Sequence, residues 1–144
     1  MKTSLLSVLM MLVPLIFLIG ITGWLFTDKM NGRMVLIYGF IIFFGWITAI
    51  IFGMTFKTLP FIVWNKVYHE KAGLGKTPNP KELFNNNVFI GMVLIYIAGF
   101  ALFITGASLA NKSLLSIAAA TLIIAAALYN LNVIKVLLHK PRKA

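Results

Sequence analysis

The sequence predicts an all-α integral membrane protein with four transmembrane helices, and three observations lead there. First, 60% hydrophobic residues and a mean hydropathy of +0.96 lie far above the composition of a soluble domain. Second, four runs carry no charged residue: Leu5 to Phe26, Met34 to Phe56, Val88 to Leu109 and Leu114 to Ile134. Each has 21 to 23 residues, which as a helix reaches roughly 31 to 35 Å, enough to cross a hydrocarbon core of about 30 Å. Third, the basic residues fall unevenly between the runs. With four spans, one side receives Lys2, Lys57, Lys66, Lys71, Lys76, Lys81, Lys135, Lys140, Arg142 and Lys143, and the other only Lys29, Arg33 and Lys112. The positive-inside rule then places both termini and the segment 57–87 in the cytoplasm. Residues 1–144 form a single four-helix transmembrane domain on this reading.

The first run, 5–26, follows Lys2 and resembles a secretory signal in that respect alone. Its apolar length exceeds the usual core of roughly 7 to 15 residues and no small-residue cleavage site follows Gly23. It is expected to be a retained helix, bent at Pro14, where a backbone hydrogen bond is lost but membrane helices tolerate it. In the second run, 34–56, Gly45, Ala49 and Gly53 recur at i, i+4 and i+8 and predict a smooth helix-packing face. Trp24 and Tyr38 mark one interface, and Trp64 and Tyr68 the other. Trp46 and Tyr96 sit deeper, where a buried N–H or O–H wants a partner that Thr48 or Thr105 can supply.

The segment 57–87 is the only long stretch unsuited to lipid. Lys57 ends the second span, where its long side chain reaches the headgroups. Thr58 to Tyr68, with Pro60 near its start, reads either as a kinked continuation of that helix or as a separate interfacial helix. Phe61, Trp64 and Tyr68 share a face, and Lys66 pairs with Glu70 at i, i+4. Gly73 and Gly75 break the helix, and Thr77 to Pro80 is a turn. Asn79, Pro80 and Glu82 have the spacing of an N-cap, a first-turn proline and a capping-box acid, so the third helix is expected to start near Pro80. The third run, 88–109, and the fourth, 114–134, supply further small residues for packing. Asn130 and Asn132 are the strongest polar groups in the fourth, and interhelical hydrogen bonds are the expected use.

Several function classes are disfavoured by the residues themselves. With no cysteine, disulfides, thiolate metal sites and covalent haem attachment are excluded. Three acids, Asp28, Glu70 and Glu82, are too scattered for paired-carboxylate catalysis. No ionisable residue interrupts a span, which disfavours a transporter or channel, although backbone carbonyls can line a pore. Positive-inside placement accounts for most of the net charge of +10, so nucleic acid is not an expected partner. Lys140, Arg142 and Lys143 suit anionic lipid headgroups. His69 and His139 both fall on the cytoplasmic side, where solvated interfacial histidines are the expected reading.

The stretch Gly45 to Gly73, GWITAIIFGMTFKTLPFIVWNKVYHEKAG, followed by TPNPKELF, resembles the C-terminal helices of bacterial membrane proteins related to haem-copper oxidase subunit I. Lys57, Pro60, Phe61 and Trp64 carry the likeness. The resemblance implies the bacterial inner membrane and a place beside respiratory complexes. That superfamily holds haem and copper through histidines on several membrane helices, whereas no histidine lies inside a span here, so no metal ligand carries over. The leading expectation is a non-enzymatic accessory, assembly or structural component of a larger membrane complex, with other membrane subunits or further copies of itself as partners. The alternative is a redox protein binding haem, quinone or lipid, with Lys57, Trp64 and His69 as candidate cofactor-binding residues; a small transporter or channel comes third. No cofactor is expected on the leading reading.

Overall fold

The computed structural model describes residues 2–25, 32–69 and 79–139, and every regular element among them is helical. Helix α1 spans Lys2–Leu25 with Pro14 inside it. Helix α2, Gly32–Phe40, passes into a π-helical segment, Ile41–Ile47, and then into α3, Thr48–Tyr68, so that one helical rod runs unbroken over 37 residues. A single 3₁₀ turn, Pro80–Glu82, precedes α4, Asn86–Ser108, and α5, Lys112–Leu137. The Gly32–Tyr68 rod, α4 and α5 are each long and apolar enough to cross a membrane, while the described apolar stretch of α1, Val8–Gly23, is shorter. Asp28, Lys29, Glu70, Lys71, Gly73, Gly75, Lys76, Thr77, Pro78, Lys140, Arg142 and Lys143 lie outside the described residues, as do the side chains of Lys2 and Trp24.

Two expectations about the 57–87 segment divide. Of the two readings of Thr58 to Tyr68, the structure has the continuation: α3 passes through Pro60 and ends at Tyr68. At ~1.5 Å per residue the rod is about 55 Å long, well beyond a hydrocarbon core of about 30 Å. Pro60 is buried, and Leu59 and Val63 pack on a cluster that includes Leu83 and Phe84, so packing offsets the backbone hydrogen bond that proline removes. The start of the following helix differs from expectation. Asn79 is extended (φ −72°, ψ 142°) and its side chain caps nothing; its carbonyl accepts Glu82 N at 2.8 Å in a one-turn 3₁₀ helix. The chain then turns to bury Leu83 and Phe84, and α4 begins six residues later than Pro80, at Asn86. Its cap is Asn85, whose Oδ1 accepts the backbone N–H of Asn87 at 3.0 Å and of Val88 at 3.5 Å. Burying two large apolar side chains, each worth about 1.5–3 kcal/mol, outweighs the cap of about 1 kcal/mol that continuous helix from Pro80 would have used.

Helices α4 and α5 form an antiparallel hairpin through a three-residue turn. Ala110 adopts φ 52°, Asn111 N donates to Gly106 O at 2.9 Å and Ala110 N to Ala107 O at 3.3 Å. This is the Schellman pattern, in which glycine normally takes the left-handed position. Asn111 then caps α5, accepting from Ser113 N at 3.0 Å and Leu114 N at 3.3 Å. Alanine pays a steric cost in this conformation, so Ala110→Gly is expected to stabilise the hairpin by about 0.5–1 kcal/mol, net of glycine's greater unfolded freedom. The check is an upward shift of the midpoint in SDS titration followed by circular dichroism.

The core lies where α1, α3, α4 and α5 meet. Met10, Ala49, Phe56, Phe89, Met92, Tyr96, Ala125 and Val136 are buried there. A second cluster, Ile37, Ile41, Phe100 and Ala107, fills the other end. Gly45, Ala49 and Gly53 are all buried. At Gly45 a side chain has no room: a Cβ would stand 2.7 Å from Phe100 Cε2 and 3.0 Å from Pro14 Cβ.

The deep polar groups pair differently from expectation. The phenol of Tyr96 donates to the carbonyls of Phe44 and Gly45, in the π-helical segment, rather than to a threonine. Thr48 and Thr105 bond back to their own helix, at Phe43 O (3.0 Å) and Ala101 O (2.9 Å). A π turn leaves carbonyls out of the regular ladder, and a donor from a neighbouring helix satisfies them where no water reaches.

Candidate functional site

The residues singled out in the sequence, Lys57, Pro60, Phe61, Trp64 and His69, all lie on the last turns of α3 and its end, but they do not form one site. Lys57, Pro60 and Phe61 line a cavity of about 420 Å³. Its remaining walls come from elsewhere in the chain: Val8 and Met11 of α1, Gly53, Met54 and Phe56 one and two turns back on α3, and Pro80, Lys81, Phe84 and Phe89 from the segment leading into α4. The lining on α3 thus runs from Gly53 to Phe61, about 12 Å of helix. Apolar side chains make up most of it, and Lys57 and Lys81, both exposed, are its only charged members.

Each wall has a local cause. Gly53, buried on α3, brings no side chain to its part of the wall. Phe84 is held by the turn after Pro80 and packs on Phe56 and Phe89, with ring centroids 5.6 and 6.0 Å apart. Phe56 in turn meets Phe89 edge-on at 5.2 Å. Three aromatic rings therefore form a rigid back wall, a packing mode worth about 0.5–1.5 kcal/mol per pair beyond burial. Phe61, 59% exposed, and Met54, 45% exposed, stand toward the open side.

Trp64 and His69 do not line this cavity. Trp64 is half-buried, with its ring 6.2 Å from that of Tyr68, and His69 is exposed at the helix end. The other histidine differs from the solvated reading. His139 Nε2 lies 3.0 Å from the Tyr68 hydroxyl, tying the end of α3 to the end of α5. Among the described residues, no three His, Asp or Glu side chains gather in a metal-binding group.

A second tie stands nearby. Asn132, 2% exposed, accepts the backbone N–H of Asn85 through Oδ1 at 2.9 Å and donates Nδ2 to the Asn85 carbonyl at 3.1 Å. This reciprocal pair locks the start of α4, and with it Phe84, onto α5. Thr55 and Tyr129 hydroxyls add a third link, 3.1 Å apart, between α3 and α5. Asn130, by contrast, is exposed and bonds back to Ala126 O at 2.9 Å.

Of the cavity lining, the sequence singles out Lys57, Pro60 and Phe61 as a cluster; Met54 and Phe56 on the same helix, and Met11, Lys81 and Phe84 from other segments, carry no such signal. For Phe84 a different signal was available in Leu83–Phe84, an apolar pair inside an otherwise polar stretch, which marks a buried turn better than an exposed first helical turn. No protein-family model matches the sequence, and comparison with curated proteins and with solved structures returns no match.

Proposed function

We propose that this chain is a non-enzymatic integral membrane protein that serves as an accessory or structural component of a larger membrane assembly. It crosses the bilayer four times, with α1 as the first span and both termini in the cytoplasm. The uneven division of basic residues, ten against three, supports that orientation.

The observation that carries the assembly reading is the outer face of α5. One face of this helix packs inward through Ala118, Leu122, Ala125 and Asn132. The opposite face presents Ser116, Ala119, Ala120, Ala126, Ala127 and Asn130, all exposed, on either side of the exposed Ile123 and before Ile134. Helices in lipid associate through small residues that allow close backbone approach and through polar side chains that bond across the contact. A surface meant only for lipid tails gains nothing from six small or polar residues on one face. The resemblance of residues 45–84 to oxidase-related proteins supports the bacterial inner membrane, beside respiratory complexes, as the setting.

Blue-native electrophoresis after mild detergent extraction tests the proposal. The 16.0 kDa chain is expected to migrate in a larger species, and Ala120→Leu with Ala127→Leu is expected to release it. Migration as a lone monomer at every detergent level would sink the idea.

A further inference from the structure

The cavity between α1, α3 and the start of α4 joins an apolar body to a rim of one sign of charge. Met11, Met54, Phe84 and Phe89 supply the body, and Lys57 and Lys81 the rim. Glu82, the only carboxylate side chain among the described residues, is exposed and makes no ion pair with either lysine. Lys57 is also the first residue after the uncharged run 34–56, so the rim stands at headgroup level and the body on the hydrocarbon side.

We infer that this cavity is a binding site for an anionic glycerophospholipid of the surrounding leaflet, one acyl chain lying against Met11 and Met54 and the phosphate held between Lys57 and Lys81. The inference rests on the membrane-spanning reading above. Charge complementarity selects this occupant. A neutral isoprenoid fills the body but leaves both ammonium groups uncompensated, and a zwitterionic lipid brings its own quaternary ammonium up against Lys57 and Lys81, so that its net charge gains nothing from them. Free phosphate satisfies the rim and leaves the body without a partner. The volume of about 420 Å³ falls in the range of small-molecule sites, roughly 300–1,000 Å³. Methionine side chains adapt to a flexible chain better than branched ones do, and two of them face this space. The two lysines arrive from separate segments, and the Asn85–Asn132 lock holds the start of α4, next to Lys81, in place.

Native mass spectrometry of the full chain in detergent, titrated with palmitoyl-oleoyl phosphatidylglycerol or the matching phosphatidylcholine, tests the inference. Wild type is expected to retain phosphatidylglycerol preferentially. Lys57→Gln with Lys81→Gln is expected to lower that preference roughly thirty-fold, the attraction of two basic residues near an anionic surface. Lys112→Gln, at the opposite end of α5, should leave it unchanged. Met54→Trp, which fills the body, should reduce retention of both lipids, and an unaltered elution volume would show that each variant is folded. Equal retention of the two lipids by wild type, or an unchanged preference in the double lysine variant, would overturn the inference. So would displacement of bound lipid by millimolar inorganic phosphate, which would assign the lysines to a free anion. Release of the chain from membranes by alkaline carbonate would instead overturn the membrane reading itself.

Discussion

Gly45→Leu is expected to destabilise the fold by about 3 kcal/mol, the upper end of what overpacking a close-packed interior costs. The first added carbon alone would sit 2.7 Å from Phe100 Cε2 and 3.0 Å from Pro14 Cβ, and the remaining three have nowhere to go. Phe100 is 1% exposed and its ring is flanked by Phe17 and Phe40, each with its centroid 5.8 Å away, so it cannot withdraw. Gly45→Ala should cost less, about 1–2 kcal/mol, because alanine recovers up to ~1 kcal/mol of helix propensity against the clash. Phe100→Leu in the Gly45→Ala background makes room, and the two changes together should be less destabilising than their sum. SDS titration of the four proteins gives the coupling. Additive effects would mean that Gly45 does not meet Phe100 in the folded protein.

Asn132→Ala is expected to cost about 2 kcal/mol, from two hydrogen bonds to the Asn85 backbone of about 1 kcal/mol each. The loss should also be local. Amide hydrogen exchange at residues 85–88 is expected to accelerate, because the carbonyl and N–H of Asn85 lose their partner and the cap it forms for Asn87 and Val88 loosens. Asn130→Ala is the matched control for the isolated chain in detergent, where that side chain is exposed and bonds back to Ala126 O; its effect there should stay within about 0.5 kcal/mol. Equal effects at the two positions would contradict the buried tie. Lipid retention at the Lys57–Lys81 cavity should fall in Asn132→Ala, because the lock that positions the segment carrying Lys81 is gone.

Particular residues show where sequence reading held and where it failed. The four apolar helices stood out because long uncharged runs are a local property. Gly45, Ala49 and Gly53 stood out because their spacing is helical. The capping motif at Asn79–Glu82 satisfied every local rule and still lost, because Leu83 and Phe84 gain more from burial against α3 than a cap provides. Asn85, one of three consecutive asparagines, gave no hint that it and not its neighbours would be the cap. That choice was made by Asn132, 47 positions away. His139 looked solvated for the same reason: its partner, Tyr68, lies 71 positions earlier.

The sequence by itself determined the helical, lipid-compatible character of this chain, the near-positions of its helices and the asymmetry of its charge. These follow from hydropathy, periodicity and residue counts, each readable within a window of about twenty residues. Only the tertiary structure decided that the second helix runs on through Pro60 as one rod, that α4 starts at Asn86, and that Lys57 and Lys81 come to rim one cavity. Those outcomes depend on which distant side chains share a desolvated space, where a hydrogen bond or an aromatic contact between remote segments outweighs any local preference.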